Sequence, residues 1–437
     1  MPSNSKLTLT RSRTHSPPSF FSTLPRDLFA EILASLNVLT LTRLKSVCKP
    51  WRSLVSTRNF IKQHLAHAQA HPENQALIVH SLSTDYDDVV TVFRVDDVEN
   101  PVNQALNFPQ TFFKMELVGS ISGIVCLCDR SLGFMIVVWN PATRECKMVP
   151  FPNKERHAEK VFVGFGYDSV EDDFRVVCVF RVKANERCVS RFYVYSCNAE
   201  CWRAIRVEFP YDLPHMWCVV TVKGNPYWMG FKVEGGDESN GKEVCVMFDV
   251  RMEVFKFLDL PKCETNSGTS ACLSNYKDML ADLMFSPGSE VNKLVDVFVL
   301  DDKSGVWSKI YTVGPIPLEV QRVLHCFKNG EIVVEDDDAK LFLYDPKSKA
   351  VKNLRIDKAK ELNKAFCYTE SLVTIKKMNH VEEEDIPETS PSTRKRDDFL
   401  ENKRFSLKSM ARTEGVKHTM TIRRGPYKCW RLYQMCI

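Results

Sequence analysis

The sequence predicts an α + all-β chain: a small N-terminal helical unit followed by a six-bladed β-propeller. Three observations predict it. Apolar residues recur at helical spacing across residues 24–65. From residue 75 onward the texture changes to short β-rich runs broken by polar turns. Those runs then repeat with a period of about 50 residues, the length of one four-stranded propeller blade.

In the helical unit, Leu24, Leu28, Ile32, Leu33 and Leu36 recur at three- and four-residue steps, and so do Leu41, Leu44, Val47 and Cys48. Each set is the stripe of an amphipathic helix. Trp51, Leu54, Val55, Phe60, Ile61 and Leu65 carry a third apolar face. Thr23 and Pro25 start the first helix, Pro50 the third, and Asn59 is placed to cap the fourth. A unit of about forty residues buries too little surface to offset its chain entropy, so it leans on a partner. His64, His67 and His71 share one face of the last helix. With no carboxylate or thiol spaced to complete a metal site, they read as a solvated helix end.

The spaced residues Leu24-Pro25-x-x-Leu28, Ile32-Leu33, Arg43-Leu44, Val47-Cys48-Lys49 and Trp51-Arg52-x-Leu54 resemble an F-box, the motif that docks substrate receptors onto the Skp adaptor of cullin-based ubiquitin ligases. Many F-boxes have Leu-Pro between the first two helices, whereas this chain has Leu36-Asn37. Asn37 can cap a helix where proline would set a turn. The resemblance implies that Leu24, Pro25, Leu28, Ile32, Leu33, Leu44, Val47, Trp51 and Arg52 contact the Skp adaptor and, through it, cullin. Leu28, Ile32 and Trp51 are the expected hot spots, because large residues desolvated near a patch centre dominate binding energy.

The β-rich part aligns on itself. Trp139 is followed seven positions on by Cys146, Tyr195 by Trp202, Phe248 by Phe255, Leu300 by Trp307 and Tyr344 by Val351. The physical content is a strand, a polar turn and a return strand in constant register. The five leading residues are separated by 56, 53, 52 and 44 positions, a kelch-like period. Residues 89–93 supply a sixth, degenerate unit whose seven-residue partner, Asn100, breaks the pattern. A ring of this kind is expected to close by pairing residues 76–81 with residues 366–375, since open strand edges aggregate.

A second resemblance covers residues 76–377. Gly119-Ser120-x-x-Gly123-Ile124-Val125-Cys126, Trp139-Asn140-Pro141-x-Thr143-Arg144, Gly164-Phe165-Gly166-Tyr167-Asp168 with Asp173-Phe174-Arg175-Val176-Val177, and Glu370-Ser371-Leu372-Val373 are similar to the F-box-associated domain of plant F-box proteins. Taken as residues, the glycines suit turns or close strand approaches, the tryptophans suit inter-blade packing, and Asn140-Pro141 opens a turn.

The expected organisation is an arm at 1–22, F-box helices at 23–66, a linker at 67–75, the propeller at 76–378 and a disordered tail at 379–437. The two folded parts are expected to hinge near residues 71–74. With 44% hydrophobic and 26% charged residues and a net charge of +4 over 437 residues, the composition is that of a soluble globular protein. It calls for neither nucleic acid nor membrane as partner. Sixteen scattered cysteines form no paired C-x-x-C framework and read as reduced thiols of the cytoplasm or nucleus. No nucleophile, metal or cofactor motif is found, so no catalytic residue, metal or cofactor is expected. The leading reading is a non-catalytic substrate receptor with an unknown protein substrate. The alternative is a carbohydrate-binding or scaffold propeller acting outside the ligase, with Tyr211, Trp217 and Trp228 as stacking rings.

Overall fold

The computed structural model describes residues 26–71, 75–83, 88–94, 102–105, 115–129, 135–152, 158, 160–184, 187–207, 209, 211–212, 220–232, 243–261, 270–286, 293–354, 359–376 and 378–380. Residues 1–25, which include Thr23, Leu24 and Pro25, lie outside this set. So do Asn100, Trp217 and the tail beyond residue 380.

Four helices come first: α1 (Arg26–Ala34), α2 (Val38–Val47), α3 (Lys49–Val55) and α4 (Arg58–Ala70). Asn37 caps α2 as its side chain accepts a 2.8 Å hydrogen bond from the Thr40 amide. Pro50 sits in the first turn of α3, where its missing N–H costs nothing. The cap of α4 is Thr57, whose hydroxyl accepts from the Phe60 amide, rather than Asn59, which falls inside the helix. That helix runs to Ala70, so the first four residues of the expected linker at 67–75 are helical.

Six antiparallel sheets follow. Blade 1 contains β1 (Ala76–Ser83), β2 (Asp88–Arg94) and β3 (Val102–Ala105), and blade 2 contains β4 (Met115–Ile121), β5 (Ile124–Asp129), β6 (Met135–Asn140) and β7 (Glu145–Val149). Blade 3 is β8 (Lys160–Asp168), β9 (Asp173–Ala184), β10 (Arg187–Ser196) and β11 (Cys201–Ile205). In blade 4, the short β12 (Tyr211–Asp212) and β13 (Val220–Val222) both pair with β14 (Asn225–Lys232), followed by β15 (Glu243–Asp249) and β16 (Val254–Asp259). Blade 5 is β17 (Ser270–Tyr276), β18 (Met279–Phe285), β19 (Val295–Leu300) and β20 (Trp307–Val313). Blade 6 is β21 (Val320–Cys326), β22 (Ile332–Asp336), β23 (Leu341–Asp345) and β24 (Ala350–Leu354).

Two late strands return to the start of the ring. β25 (Ala359–Tyr368) becomes the inner strand of blade 1 by pairing with β1, with Tyr368 opposite Ala76 and Phe366 opposite Ile78. The closing strand therefore ends at Tyr368, and residues 369–375, expected to pair with β1, leave the sheet. The chain then adds β26 (Asn379–His380) to the outer edge of β7 in blade 2, so the first two residues of the expected tail are paired.

The seven-residue repeat is a cross-strand register. Trp139 lies opposite Cys146, Tyr195 opposite Trp202, Phe248 opposite Phe255, Leu300 opposite Trp307 and Tyr344 opposite Val351. Each leading residue is buried at 5% exposure or less. The next residue, Asn140, Ser196, Asp249, Asp301 or Asp345, folds its side-chain oxygen over the turn and accepts from a backbone N–H two or three positions on. Four residues further, Arg144, Glu200, Glu253, Gly305 and Lys349 all take positive φ, between 54° and 68°. One short turn is thus built five times. The +7 tryptophans also reach backward: Trp307 donates its indole N–H to Asp259 O at 2.7 Å, and Trp202 donates to Pro150 O, each at the end of the preceding blade.

Burial follows from blade stacking. Each blade shares an apolar core with its neighbour, and six such clusters run around the ring from blades 1 and 2 to blades 6 and 1. Middle strands such as β6 and β15 are covered on both faces and read as continuous apolar runs. Outer strands such as β11 and β24 stay largely exposed. A seventh cluster joins the helices to the propeller, with Leu33, Ala34, Val38, Leu41, Val55 and Phe60 packed around Leu372. The helical unit and the ring are therefore in contact; of the hinge expected near residues 71–74, residues 72–74 lie outside the described residues.

Candidate protein-docking site

The helices divide their apolar residues between two faces. Inward lie Leu33 and Ala34 of α1, Val38 and Leu41 of α2, Val55 of α3 and Phe60 of α4. Outward lie Leu28 and Ile32, one turn apart on α1 and 45% and 48% exposed, and Leu39 and Val47 on α2, 56% and 63% exposed. Large apolar side chains left exposed on well-formed helices are the kind of surface that a protein partner covers.

Of the residues expected to dock, Leu28, Ile32, Val47 and Arg52 are exposed, and Leu44 and Trp51 are half-buried. The Trp51 ring packs against Phe29 with 6.2 Å between centroids. Arg52 donates from Nε to Lys45 O at 3.0 Å, which ties α3 to the end of α2. Leu33 is 4% exposed and belongs to the inner core; it shapes the site from below. Leu24 and Pro25 are outside the described residues. Leu39, also exposed, is not among the residues expected to dock, because it lies off the stripe of Leu41, Leu44 and Val47. An apolar residue on the otherwise polar side of a helix was the available signal.

The seat under the helices is made from the propeller's distinctive sequence motifs. Asn140 donates from Nδ2 to Ser371 O at 3.0 Å and to Val373 O at 2.8 Å, while its Oδ1 holds the turn. Ser371 donates its hydroxyl to Ser122 O at 2.6 Å. Gly123, at φ +80°, lies directly beneath Ser371 with no room for a Cβ. These contacts pin residues 371–373 so that Leu372, 2% exposed, projects into the helical core, with Ala142 packed beside it. Arg58 and Lys62 of α4 both pair with Asp172 of blade 3, Lys62 at 3.1 Å, and Tyr167 donates its hydroxyl to the same carboxylate. Burial opposes ionisation of Asp172, but the hydrogen bonds from Tyr167, Lys62 and Arg58 together hold its carboxyl below the usual range.

His64 is not solvated as expected. It is 3% exposed, and its Nε2 lies 2.9 Å from Leu36 O, which ties α4 to the turn between α1 and α2. Burial lowers its pKa, which favours the neutral ring. The rings of His67 and His71 pack with centroids 4.5 Å apart and planes tilted by 36°. Among the described residues no three His, Cys, Asp or Glu side chains gather as metal donors, and no helix is long and apolar enough to cross a membrane.

On the propeller axis lies a cavity of about 60 Å³, lined in part by Thr221, Asn275, His325 and Cys367. It has room for a few waters rather than a drug-sized molecule. Trp228, expected as an exposed stacking ring in the carbohydrate reading, is fully buried under Gly164.

The comparisons with known proteins agree with this architecture. The family model described as F-box associated beta propeller domain matches residues 73–381, and the F-box domain model matches residues 21–63. F-box protein At4g22390 of Arabidopsis thaliana is 26% identical over 375 residues, covering 76% of this chain and 86% of that one. F-box protein CPR1 of the same plant is 24% identical over 427 residues, covering 88% and 99%. The chain belongs to the F-box associated β-propeller family, as an F-box protein whose helices sit on a seat built by blades 2 and 3 and the segment that follows ring closure.

Proposed function

We propose that the protein is a substrate receptor of a Skp-cullin-F-box ubiquitin ligase. Its helices dock on the Skp adaptor through Leu28, Ile32, Leu39, Val47, Trp51 and Arg52, and its propeller holds a target protein. Leu24, Pro25, Leu33 and Leu44 complete or support that face. The chain carries out no chemistry itself. It acts by tethering, which raises the effective concentration of a target lysine near a charged ubiquitin-conjugating enzyme.

The observation that carries this reading is the ridge of Leu28 and Ile32, exposed on a helix of a matched F-box while their neighbour Leu33 is buried. Each truncation to alanine should cost about 1 to 3 kcal/mol of adaptor binding, the usual hot-spot range. Leu28→Ala/Ile32→Ala should therefore lose the Skp adaptor and cullin in pull-downs while circular dichroism stays that of the wild type. Recovery of the adaptor at wild-type levels by this folded double variant would remove the reading's mechanical basis.

A further inference from the structure

The core of the F-box is not complete within the F-box. Its inner face closes on Leu372, which lies hundreds of residues downstream and is 2% exposed. Leu372 is placed by four contacts of the propeller: the two hydrogen bonds from Asn140, the Ser371 to Ser122 bond and the tight approach of Gly123. It also follows Tyr368, the last residue of the strand that closes the ring, by only a few residues. Ring closure and F-box completion are thus consecutive acts of one segment.

We propose that adaptor docking is coupled to closure of the propeller, with Leu372 as the positioning residue that links them. A ring lacking β25 leaves Leu372 unseated. The helices then surround an unfilled hole, and α1 and α2 lose the support that holds the exposed Leu28, Ile32, Leu39 and Val47 in place. A chain with an open ring, which cannot present its target, would then be a poor partner for the adaptor. Coupling of this kind is reciprocal, so adaptor binding must in turn stabilise the closing segment. The inference rests on the adaptor-docking reading above.

The test uses the full-length chain and a recombinant Skp-type adaptor, with affinity measured by titration calorimetry and amide exchange read by mass spectrometry. Leu372→Ala should weaken adaptor binding about tenfold, within the usual range of coupling between sites, although Leu372 faces away from the adaptor surface. Leu372→Met, which refills the hole, should bind within about twofold of the wild type. Leu283→Ala, a truncation equally buried in blade 5, should lower the unfolding midpoint and leave affinity unchanged. In Leu372→Ala, exchange should rise in α2 and α4 and stay unchanged in blades 5 and 6; in the wild type, adaptor should slow exchange across residues 364–376.

Equal effects of Leu372→Ala and Leu283→Ala on affinity, whether large or nil, would overturn the coupling. Unchanged exchange in α2 and α4 of Leu372→Ala would overturn it without reference to any adaptor. Failure of the wild type to bind adaptor would instead overturn the docking reading, and the exchange arm would still decide whether Leu372 supports the helices.

Discussion

Single buried polar residues contribute to how this protein responds to acid. His325 is 4% exposed, its Nδ1 lies 3.4 Å from Ser274 Oγ, and its Nε2 has no hydrogen-bond partner among the described residues. Burial pushes its pKa down to about 4, from an ordinary 6.5. Well above pH 6.5 the group is neutral whether the chain is folded or not, and its full contribution to stability is present. As pH falls from 6.5 toward 4, the unfolded chain takes up a proton that the folded ring refuses, so stability is lost. By pH 5 the loss from this one group is about 2 kcal/mol. His64 shifts in the same direction for the same reason. Urea unfolding at pH 7.5 and pH 5 should show a smaller difference for His325→Gln than for the wild type, and equal differences would refute the assignment. The sequence did not give this away, because a histidine on a β run looks the same whether it faces solvent or the axis. Helical position likewise showed His64 on a face and not that the face is covered.

At the level of elements, the five repeated turns show how much a local pattern can reveal. The seven-residue spacing was legible because register is a property of neighbouring strands, and each leading residue, turn oxygen and left-handed residue lies within a few positions of the others. Their left-handed residues now separate into two kinds. Lys349 is exposed at φ +57°, the conformation that Gly305 takes in blade 5. Left-handed backbone costs a residue with a Cβ about 1 to 2 kcal/mol, partly offset by the greater chain entropy of glycine. Lys349→Gly should therefore stabilise by up to about 1 kcal/mol. Glu200 has the same backbone but lies 2.8 Å from the Lys147 ammonium, which is 6% exposed and also donates to Cys197 O and Lys376 O. Glu200→Gly strips a buried charge of this counter-ion and should destabilise by about 3 kcal/mol, even though its backbone relaxes. Opposite shifts in the unfolding midpoint are the expected result. Shifts of the same sign would mean that turn strain and not the Lys147 pair governs both sites.

Across the whole molecule, the features that escaped the sequence are those set by contacts distant along the chain. The stripes of α1 and α2 told which residues are apolar, but not that Leu33 turns inward to a core that includes Leu372 while Ile32 stays out. The closing strand begins earlier than the expected residue 366: the first half of β25 carries Lys360, Glu361 and Asn363, without the apolar run of a buried strand, although its backbone pairs with β1. Its position decides the molecule's integrity. Blade 1 has three strands from one end of the ring and its inner strand from the other, so the circle is held shut by the register from Ala359 to Tyr368. Cutting the chain after Lys364 removes Ala365, Phe366, Cys367 and Tyr368 from that register and withdraws apolar side chains from the cores between blades 6 and 1 and between blades 1 and 2. The freed edge of β1 is then a template for pairing with another copy. Cutting after Val381 keeps β25, the Leu372 seat and β26. Light scattering after size exclusion should show a 1–381 fragment as a monodisperse monomer and a 1–364 fragment as an aggregate. A monomeric, cooperatively unfolding 1–364 fragment would mean that the ring is held by its six shared cores without the closing strand.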